Sequence, residues 1–351
     1  SFRPGIMLDQ AIHSLAYAYG RPALRGRLRV SPEDFSVTEL PCVEPAGEGE
    51  HVWLWVRKRN ETTPRAAAQL ARLADVHPRQ VSYAGLKDRQ AVTEQWFSVQ
   101  LPGREAPDWS ALDSDAVQVL RAARHTRKLR RGTLTGNRFR IVLRDTTGPA
   151  DDWQQRLGQI RTHGVPNYFG EQRFGRNASN LLTAQALFAN PRKRMQRDRR
   201  SLALSAARSL LFNQVLSRRV QAGTWNRPIR GDAMQLDGSH SFFIAETLDA
   251  ALEARLARHD VHPTGPLHGR GESPLQTDCL ELEQAVLSEY ADWCAGLEAA
   301  GLKQDRRALR LVVSDLAAEV SDDGDWQLQF SLPAGAYATM VLRELVDVTG
   351  W

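Results

Sequence analysis

One carboxylate in the sequence has neighbours that suit covalent or base chemistry. Asp88 lies between Lys87 and Arg89, directly after a strand-like run that ends at Gly85. The flanking cations favour a charged carboxylate, which suits a nucleophile or a general base better than a general acid. An aspartate that follows a strand is, however, more often a turn residue than a catalyst. The residue types at this position therefore leave both interpretations open.

Two stretches carry a dense excess of positive charge. Residues 121–131 contain six arginines and lysines and no acid, and residues 192–200 contain as many with a single aspartate. Without an anionic partner, such stretches would be destabilised by their own repulsion. Arginine predominates in both, and its planar fork matches phosphate groups. We therefore favour nucleic acid or another polyanion as the partner over an ordinary solvated surface.

Several common kinds of catalytic site are missing from the sequence. It contains no GxxxxGK[ST] phosphate-binding loop, no GxGxxG after a strand and no G-x-S-x-G nucleophile elbow. HExxH and CxxC are also missing, so a zinc site has little support. The three cysteines are too few and too scattered to indicate a disulfide-rich secreted protein. Because no apolar run reaches the roughly 18 residues of a membrane span, we expect a soluble, cytoplasmic protein with no membrane partner.

The elements that must position these residues change in character along the chain. Alternating and apolar patterns predict strands at residues 26–30, 35–40, 51–56, 81–84, 94–101, 116–120, 138–143, 309–313 and 325–332. Helical periodicity predicts helices at residues 65–75, 150–162, 178–188, 201–221, 248–259, 276–300 and 337–346. The hydroxyl of Thr63, followed by Pro64, predicts the start of the first helix. A Gly/Pro/His-rich loop is predicted at 262–274. This order favours a strand-rich discontinuous domain with a helix-rich domain inserted.

Six motifs, in the same order, resemble those of the TruD family of tRNA pseudouridine synthases. The most specific is Ser-Tyr-Ala-Gly-Leu-Lys-Asp-Arg-Gln-Ala-Val-Thr-Glu-Gln-Trp at residues 82–96. The other five lie at residues 32–39, 127–139, 164–175, 205–214 and 332–339. The resemblance extends from about residue 26 to Thr349.

The resemblance implies an α+β fold with two domains. Residues 1–163 and 305–351 would form a discontinuous pseudouridine-synthase catalytic domain around a mixed or antiparallel central sheet. Residues 164–304 would form an inserted, helix-rich α/β domain specific to the family. The implied activity is that of an isomerase, without cofactor or metal, that detaches uracil from C1′ of uridine and rejoins it through C5. Its implied substrate is uridine 13 of certain tRNAs. From the basic stretches we expect RNA to bind in the cleft between the domains, and we expect a monomeric enzyme.

The resemblance also implies roles for individual residues. Asp88 matches the catalytic aspartate, which could add to the uracil ring or the anomeric carbon, or deprotonate the adjacent sugar carbon. Phe139 resembles the aromatic residue that stacks on the target base, although its alternation with Ile141 and Leu143 is also typical of a strand core. The remaining substrate-binding matches are Arg29, Phe35, Asn137, Gly164 and Phe330. Residues expected to contact RNA phosphates are Arg124, Arg127, Lys128, Arg130 and Arg131.

Two other functions are weighed against this hypothesis. A catalytically silent RNA-binding protein would have the same basic surface and an inert Asp88. A carboxylate-dependent nuclease would need several clustered acids to hold metal ions, whereas residues 87–89 offer one. Retention of an intact RNA chain during release of the uridine C5 hydrogen distinguishes the isomerase from both.

Overall fold

A computed structural model describes residues 6–349, which fall into two compact units. We call residues 23–157, 313–338 and 346–349 the sheet unit, and residues 6–22, 158–312 and 339–345 the helical unit. Two passages of the chain between units, at 157/158 and 312/313, lie close to the predicted domain boundaries at 163/164 and 304/305. The helical unit also includes segments outside 164–304, and the inserted domain with those bounds stays a prediction.

Strands and helices are both abundant among residues 6–349. The strands are β1 (Arg25–Arg27), β2 (Phe35–Leu40), β3 (His51–Arg59), β4 (Val81–Tyr83), β5 (Val92–Gln100), β6 (Val117–His125), β7 (Gly136–Thr147), β8 (Val165–Pro166), β9 (Asp232–Leu236), β10 (Phe242–Ala245), β11 (Val261–Leu267), β12 (Asp305–Ala308), β13 (Arg310–Leu311), β14 (Ser314–Val320) and β15 (Trp326–Pro333). The helices are α1 (Ile6–His13), α2 (Thr63–Ala74), α3 (Ala150–His163), α4 (Ser179–Ala189), α5 (Arg197–Gln221), α6 (Ala250–Ala257), α7 (Thr277–Ser288), α8 (Ala291–Ala299) and α9 (Ala338–Leu345). None of these helices is long and apolar enough to cross a membrane. The predicted α+β class is confirmed.

The sheet unit is built on one nine-stranded mixed sheet. Its strand order is β14-β15-β7-β2-β5-β3-β6, with β1 also paired to β7 and β4 to β5. Strands β2 and β5 run parallel, with Ser36 opposite Val92, and the other pairs described in this sheet are antiparallel. Because side chains alternate along a strand, Val52, Leu54 and Val56 of β3 share one face, and they are buried together with residues of α2.

The start of α2 corrects a detail of the sequence prediction. Thr62, rather than Thr63, is the N-cap, and its hydroxyl accepts a hydrogen bond from the main-chain N–H of Arg65 at 3.3 Å. Thr63 is buried in the first turn. Its hydroxyl accepts from the main-chain N–H of Lys87 at 3.0 Å and donates to Oε1 of Gln95 at 3.2 Å. Two adjacent threonines satisfy the capping pattern equally well, so local sequence does not distinguish them.

In the helical unit, the predicted loop at 262–274 is wrong in its first half. Residues Val261–Leu267 form β11, which pairs with β9 and β12. A Cβ atom at Gly265 would lie 2.7 Å from Cδ2 of Leu309 and 3.0 Å from Cε2 of Phe212. Glycine therefore lets β11 lie close to α5, and the glycine and proline content that suggested a loop serves close packing instead.

The single helix predicted at 276–300 is also wrong. The chain forms two helices, α7 and α8, and Tyr290 between them has non-helical torsion angles of φ −123° and ψ 34°. Tyr290, Trp293 and Leu297 are all buried in one core cluster with residues of α4 and α5. The apolar spacing that suggested one long helix thus belongs to two helices. The break between them leaves all three side chains in the core.

Changing the two threonines at the start of α2, the N-cap Thr62 and the first-turn Thr63, separately tests the roles that the structure gives them. Thr62→Ala removes a helix cap and should lower the free energy of unfolding by about 1 kcal/mol. Thr63→Val preserves the shape but leaves the N–H of Lys87 without its acceptor, so we expect a larger loss of about 2 kcal/mol. Equilibrium denaturation of both variants measures the difference. A larger loss for Thr62→Ala than for Thr63→Val would contradict this assignment.

Candidate active site

Asp88 lies on the loop of residues 84–91, which joins β4 to β5. The loop's main chain is held by side chains of the sheet and of α2: Nε2 of Gln95 donates to the carbonyl of Gly85 at 2.9 Å, and the hydroxyl of Thr63 accepts from Lys87. Nζ of Lys58 donates to the carbonyl of Asp88 at 2.9 Å. The Asp88 side chain is 50% exposed. A fixed backbone with an accessible carboxylate suits a residue that must meet a substrate.

Arg29, one of the predicted substrate-binding residues, lies beside Asp88. Its Nη2 is 3.5 Å from Oδ1 of Asp88, and its guanidinium carbon is 4.2 Å from the centre of the Phe35 ring. Arg29 has a left-handed backbone with φ of 56°, which is uncommon for a residue other than glycine. Its Nε is buried without a hydrogen-bond acceptor among the described residues. The structure thus brings two residues from distant parts of the sequence into ion-pair contact.

The predicted aromatic residues form one cluster on the sheet. Phe139 of β7 is opposite Phe330 of β15 and Val37 of β2 in the strand register. The rings of Phe139 and Phe330 stack at 5.4 Å and 27°, and Phe35 meets Phe139 edge-on at 6.2 Å. Phe139 is 4% exposed, so it is part of the strand core. Its role in stacking on a base stays a prediction.

Asn137 lies on the same face of β7 as Phe139, two residues earlier. Its register partners are Glu39 on β2 and Leu332 on β15. The side-chain oxygen Oδ1 is buried and has no hydrogen-bond donor among the described residues. Because a buried carbonyl oxygen is costly to leave unpaired, this atom is suited to accept an N–H from a bound molecule.

A buried ion pair beneath the loop was missed by the sequence analysis. Nζ of Lys87 is 3.4 Å from Oε1 of Glu39, and both side chains are almost fully buried. Glu39 also accepts from the main-chain N–H of Trp96 at 3.0 Å. Burial raises the pKa of Glu39 and lowers the pKa of Lys87, and their mutual attraction opposes both shifts. The Lys87 charge is therefore paired inward with Glu39, although the sequence suggested that it accompanies the Asp88 carboxylate.

Lys58 is the second buried cation that the sequence analysis missed. Its residue is 1% exposed, and Nζ contacts the carbonyls of Asp88 at 2.9 Å and Lys87 at 3.4 Å. Burial lowers the pKa of Lys58 to about 8. A signal was present, since Lys58 continues the alternation of Val52, Leu54 and Val56 on the buried face of β3. A lysine in that series indicates a specific polar partner inside the protein.

The basic segment at 127–131 is anchored to the sheet unit next to the loop. The main-chain N–H of buried Leu129 donates to the Ser98 hydroxyl at 3.0 Å, and the indole of Trp53 donates to the carbonyl of Arg127 at 2.9 Å. The neighbouring N–H of Gly132 donates to the carbonyl of Ala84, where the loop begins. Arg127, Lys128, Arg130 and Arg131 remain exposed. A groove of about 570 Å³ is lined by Pro64, Ala67, Pro78, Arg79, Val81, Ser82, Tyr83, Lys128, Leu129, Arg130 and Arg131.

Two other predicted residues have contacts of their own. Arg124 donates to the carbonyls of Leu101 at 3.0 Å and Arg104 at 2.6 Å, so its guanidinium ties two segments of the sheet unit together. Gly164 belongs to the helical unit and has φ of 75°, and a Cβ atom there would lie 2.4 Å from the carbonyl oxygen of Leu311. Glycine is thus required at 164 by backbone packing. The predicted roles of Arg124 in RNA binding and of Gly164 in substrate entry stay predictions.

Comparison with known proteins gives a consistent result over nearly the whole chain. The model of the family TruD, tRNA pseudouridine synthase D, matches residues 11–194 and 180–345. The chain is 52% identical to tRNA pseudouridine synthase D of Methylococcus capsulatus over 339 residues, which cover 96% of both proteins. It is 53% identical to the protein of that name from Nitrosococcus oceani over 334 residues, which cover 95% of this chain and 93% of the relative.

A solved structure agrees with these sequence matches. The crystal structure of the putative tRNA pseudouridine synthase D from Methanosarcina mazei is similar with a TM-score of 0.75 and 25% identity, and the match covers 97% of each chain. The sequence matches and the structural match therefore agree over nearly the whole chain. The chain belongs to the tRNA pseudouridine synthase D (TruD) family and is an isomerase that converts uridine to pseudouridine in tRNA.

Proposed function

We propose that this isomerase acts on uridine 13 of tRNA and that Asp88 is its catalytic residue. Position 13 is the one that the family resemblance implies, and the observation that carries the assignment of Asp88 is the arrangement around its carboxylate. Its main chain is held by Lys58, its side chain is half exposed, and the Arg29 guanidinium is 3.5 Å from Oδ1. Of the carboxylates near this loop, Glu39 is buried and paired with Lys87. Asp88, whose side chain is half exposed, is the one of these two acids that a nucleotide can reach.

The reaction exchanges one bond of the nucleoside for another. The bond between C1′ and N1 of uracil breaks, the base turns, and a bond between C1′ and C5 forms. The hydrogen on C5 is released to solvent as a proton, and N1 gains a proton. A carboxylate can assist the first step by adding to C1′ or to the ring, or by removing a proton from the neighbouring sugar carbon. In this proposal Asp88 takes this role, and Arg29, which is 3.5 Å from Oδ1, orients its carboxylate.

The uracil base has a donor, N3–H, between two carbonyl acceptors. The Asn137 side chain offers both an acceptor and a donor, and its Oδ1 has no donor among the described residues. We propose that Asn137 pairs with this edge of the base, near the cluster of Phe35, Phe139 and Phe330. Taking a base out of its stack costs a few kcal/mol. Contacts between RNA phosphates and the exposed cations at 127–131 would offset that cost.

Asp88→Asn should produce an enzyme that binds tRNA but does not turn over. The substitution preserves size and removes the charged group, so release of tritium from tRNA labelled at C5 of uridine should fall by more than about 100-fold, or ~2.7 kcal/mol in barrier. Affinity for tRNA should stay within about threefold or become slightly tighter, since a negative charge near phosphates is lost. Asp323→Asn, in an exposed turn of the sheet unit, is the matched control.

Tritium release and tRNA affinity are to be measured on the same preparation, in the presence of EDTA. Residual activity of Asp88→Asn within about tenfold of wild type, equal to about 1.4 kcal/mol, would show that another group is the catalyst. A wild-type chain that binds tRNA without releasing tritium would favour the silent RNA-binding alternative.

Charge reversal in the basic segment tests the proposed phosphate contacts. The double variant Arg127→Glu with Lys128→Glu should weaken binding to many RNAs, and the slope of log affinity against log salt should become shallower by roughly 1–2. Arg255→Glu with Arg258→Glu, at the end of α6, changes the net charge by the same amount and serves as the control. Binding isotherms over a salt series give the slopes. An unchanged slope in the Arg127 and Lys128 variant would rule out these contacts.

A further inference from the structure

Lys58 makes contacts that a structural lysine of a sheet core does not need. Its ammonium lies at the end of β3, buried, and donates to the consecutive main-chain carbonyls of Lys87 and Asp88. The hydrogen bonds of its ammonium go to these two carbonyls, and the charges of Asp88 and Glu61 attract it from farther away. The side chains that precede it on the same strand face are apolar, so an aliphatic side chain would satisfy the packing at this position without burying a charge.

The two carbonyls that Lys58 contacts are those of the peptide groups on either side of the Asp88 Cα atom. The Lys87 carbonyl belongs to the peptide group before the Cα atom of Asp88, and holding it together with the peptide group after that atom, which links Asp88 to Arg89, restricts the direction of the Asp88 side chain. Gln95 and Thr63 hold the loop at Gly85 and Lys87, which are upstream of that peptide group. Among the side-chain hydrogen bonds of residues 6–349, those of Lys58 are thus the ones that hold the main chain at Asp88 itself.

We propose that Lys58 is a positioning residue for catalysis, whose ammonium fixes the Asp88 main chain so that the carboxylate faces the reacting atoms of uridine. The proposal rests on the proposed function, in which Asp88 is the catalyst. Arg29 contacts the same residue at its carboxylate, 3.5 Å away, so Asp88 is held at both its main chain and its side chain. Lys58 itself does not touch the substrate in this proposal.

A role in stability alone is the competing explanation, and a matched pair of variants separates the two. Lys58→Met fills the same space without a donor. Val56→Ala removes buried volume two residues earlier on the same strand face and leaves the loop contacts in place. For each full-length variant we would measure thermal unfolding, tRNA affinity and single-turnover tritium release at saturating tRNA.

Lys58→Met should lower the tritium-release rate by about 100-fold, the loss expected when a catalytic group is misplaced by about 1 Å, with tRNA affinity within about threefold. Val56→Ala should keep the wild-type rate despite its loss of stability. Lys58→Arg, which retains the charge and the donors, should recover part of the rate lost in Lys58→Met. A Lys58→Met rate within about threefold of wild type, or rate losses that follow stability in both variants, would overturn the proposal.

Two further measurements keep the proposal testable. If Lys58→Met does not fold, Lys58→Gln replaces it. The glutamine side chain is uncharged and one bond shorter, so we expect the tritium-release rate to fall by about tenfold. A wild-type rate overturns the proposal.

If wild-type protein releases no tritium, the proposed function fails, but amide exchange at residues 88–91 still tests the positioning. Faster exchange in the Lys58 variant than in Val56→Ala supports it, and equal exchange overturns it.

Discussion

The pairing of buried polar side chains beneath the loop at 84–91 is the constraint on which the site depends. Lys58 and Gln95 are buried on the sheet face that α2 covers, among apolar neighbours. A buried charge or amide is costly unless it is hydrogen-bonded, and the loop supplies the acceptors at Gly85 and Asp88. The loop conformation therefore depends on these polar groups, and their burial depends on the loop. Together, these hydrogen bonds fix the position of Asp88 on the loop.

Strand register assembles the rest of the candidate site. Arg29 follows β1, which pairs with β7, and β7 also pairs with β2 and β15. These pairings bring Phe35, Phe139 and Phe330 into one cluster beside Arg29. A shift of one residue in the β7 register would turn Phe139 and its alternate neighbours to the opposite face. The long antiparallel pairing of β7 with two strands thus protects the geometry of the site as well as the stability of the sheet.

Helices and strands whose formation depends on neighbouring residues were predicted correctly from local sequence patterns. Elements that depend on contacts with distant parts of the chain were predicted wrongly. Helix α2 and most strands of the sheet unit follow from periodicity and turn residues. The strand β11 was missed because Gly265 looks like a loop residue until Phe212 and Leu309 are known to lie against it. At the site, the resemblance of the motif at residues 82–96 is the basis for predicting Asp88 as the catalyst, and that assignment stays a prediction. The alternation along β3 marks Lys58 as buried, but its partners are main-chain carbonyls about 30 positions away, which no local pattern reveals.

The cations of the sheet unit show why a count of charges does not define a binding surface. Lys87 is neutralised by Glu39 inside the protein, and Arg124 is occupied by two carbonyls. Arg127 and Lys128 lie in the same sequence run as Arg124, yet their side chains are exposed because the neighbouring Leu129 is buried and anchors the segment. Long-range attraction of RNA depends on exposed charge, since counterion release requires phosphates to reach it. Buried cations instead fix the backbone. Exposed arginines and lysines can therefore contribute to RNA affinity, whereas the buried Lys58 fixes the geometry of the loop that carries Asp88.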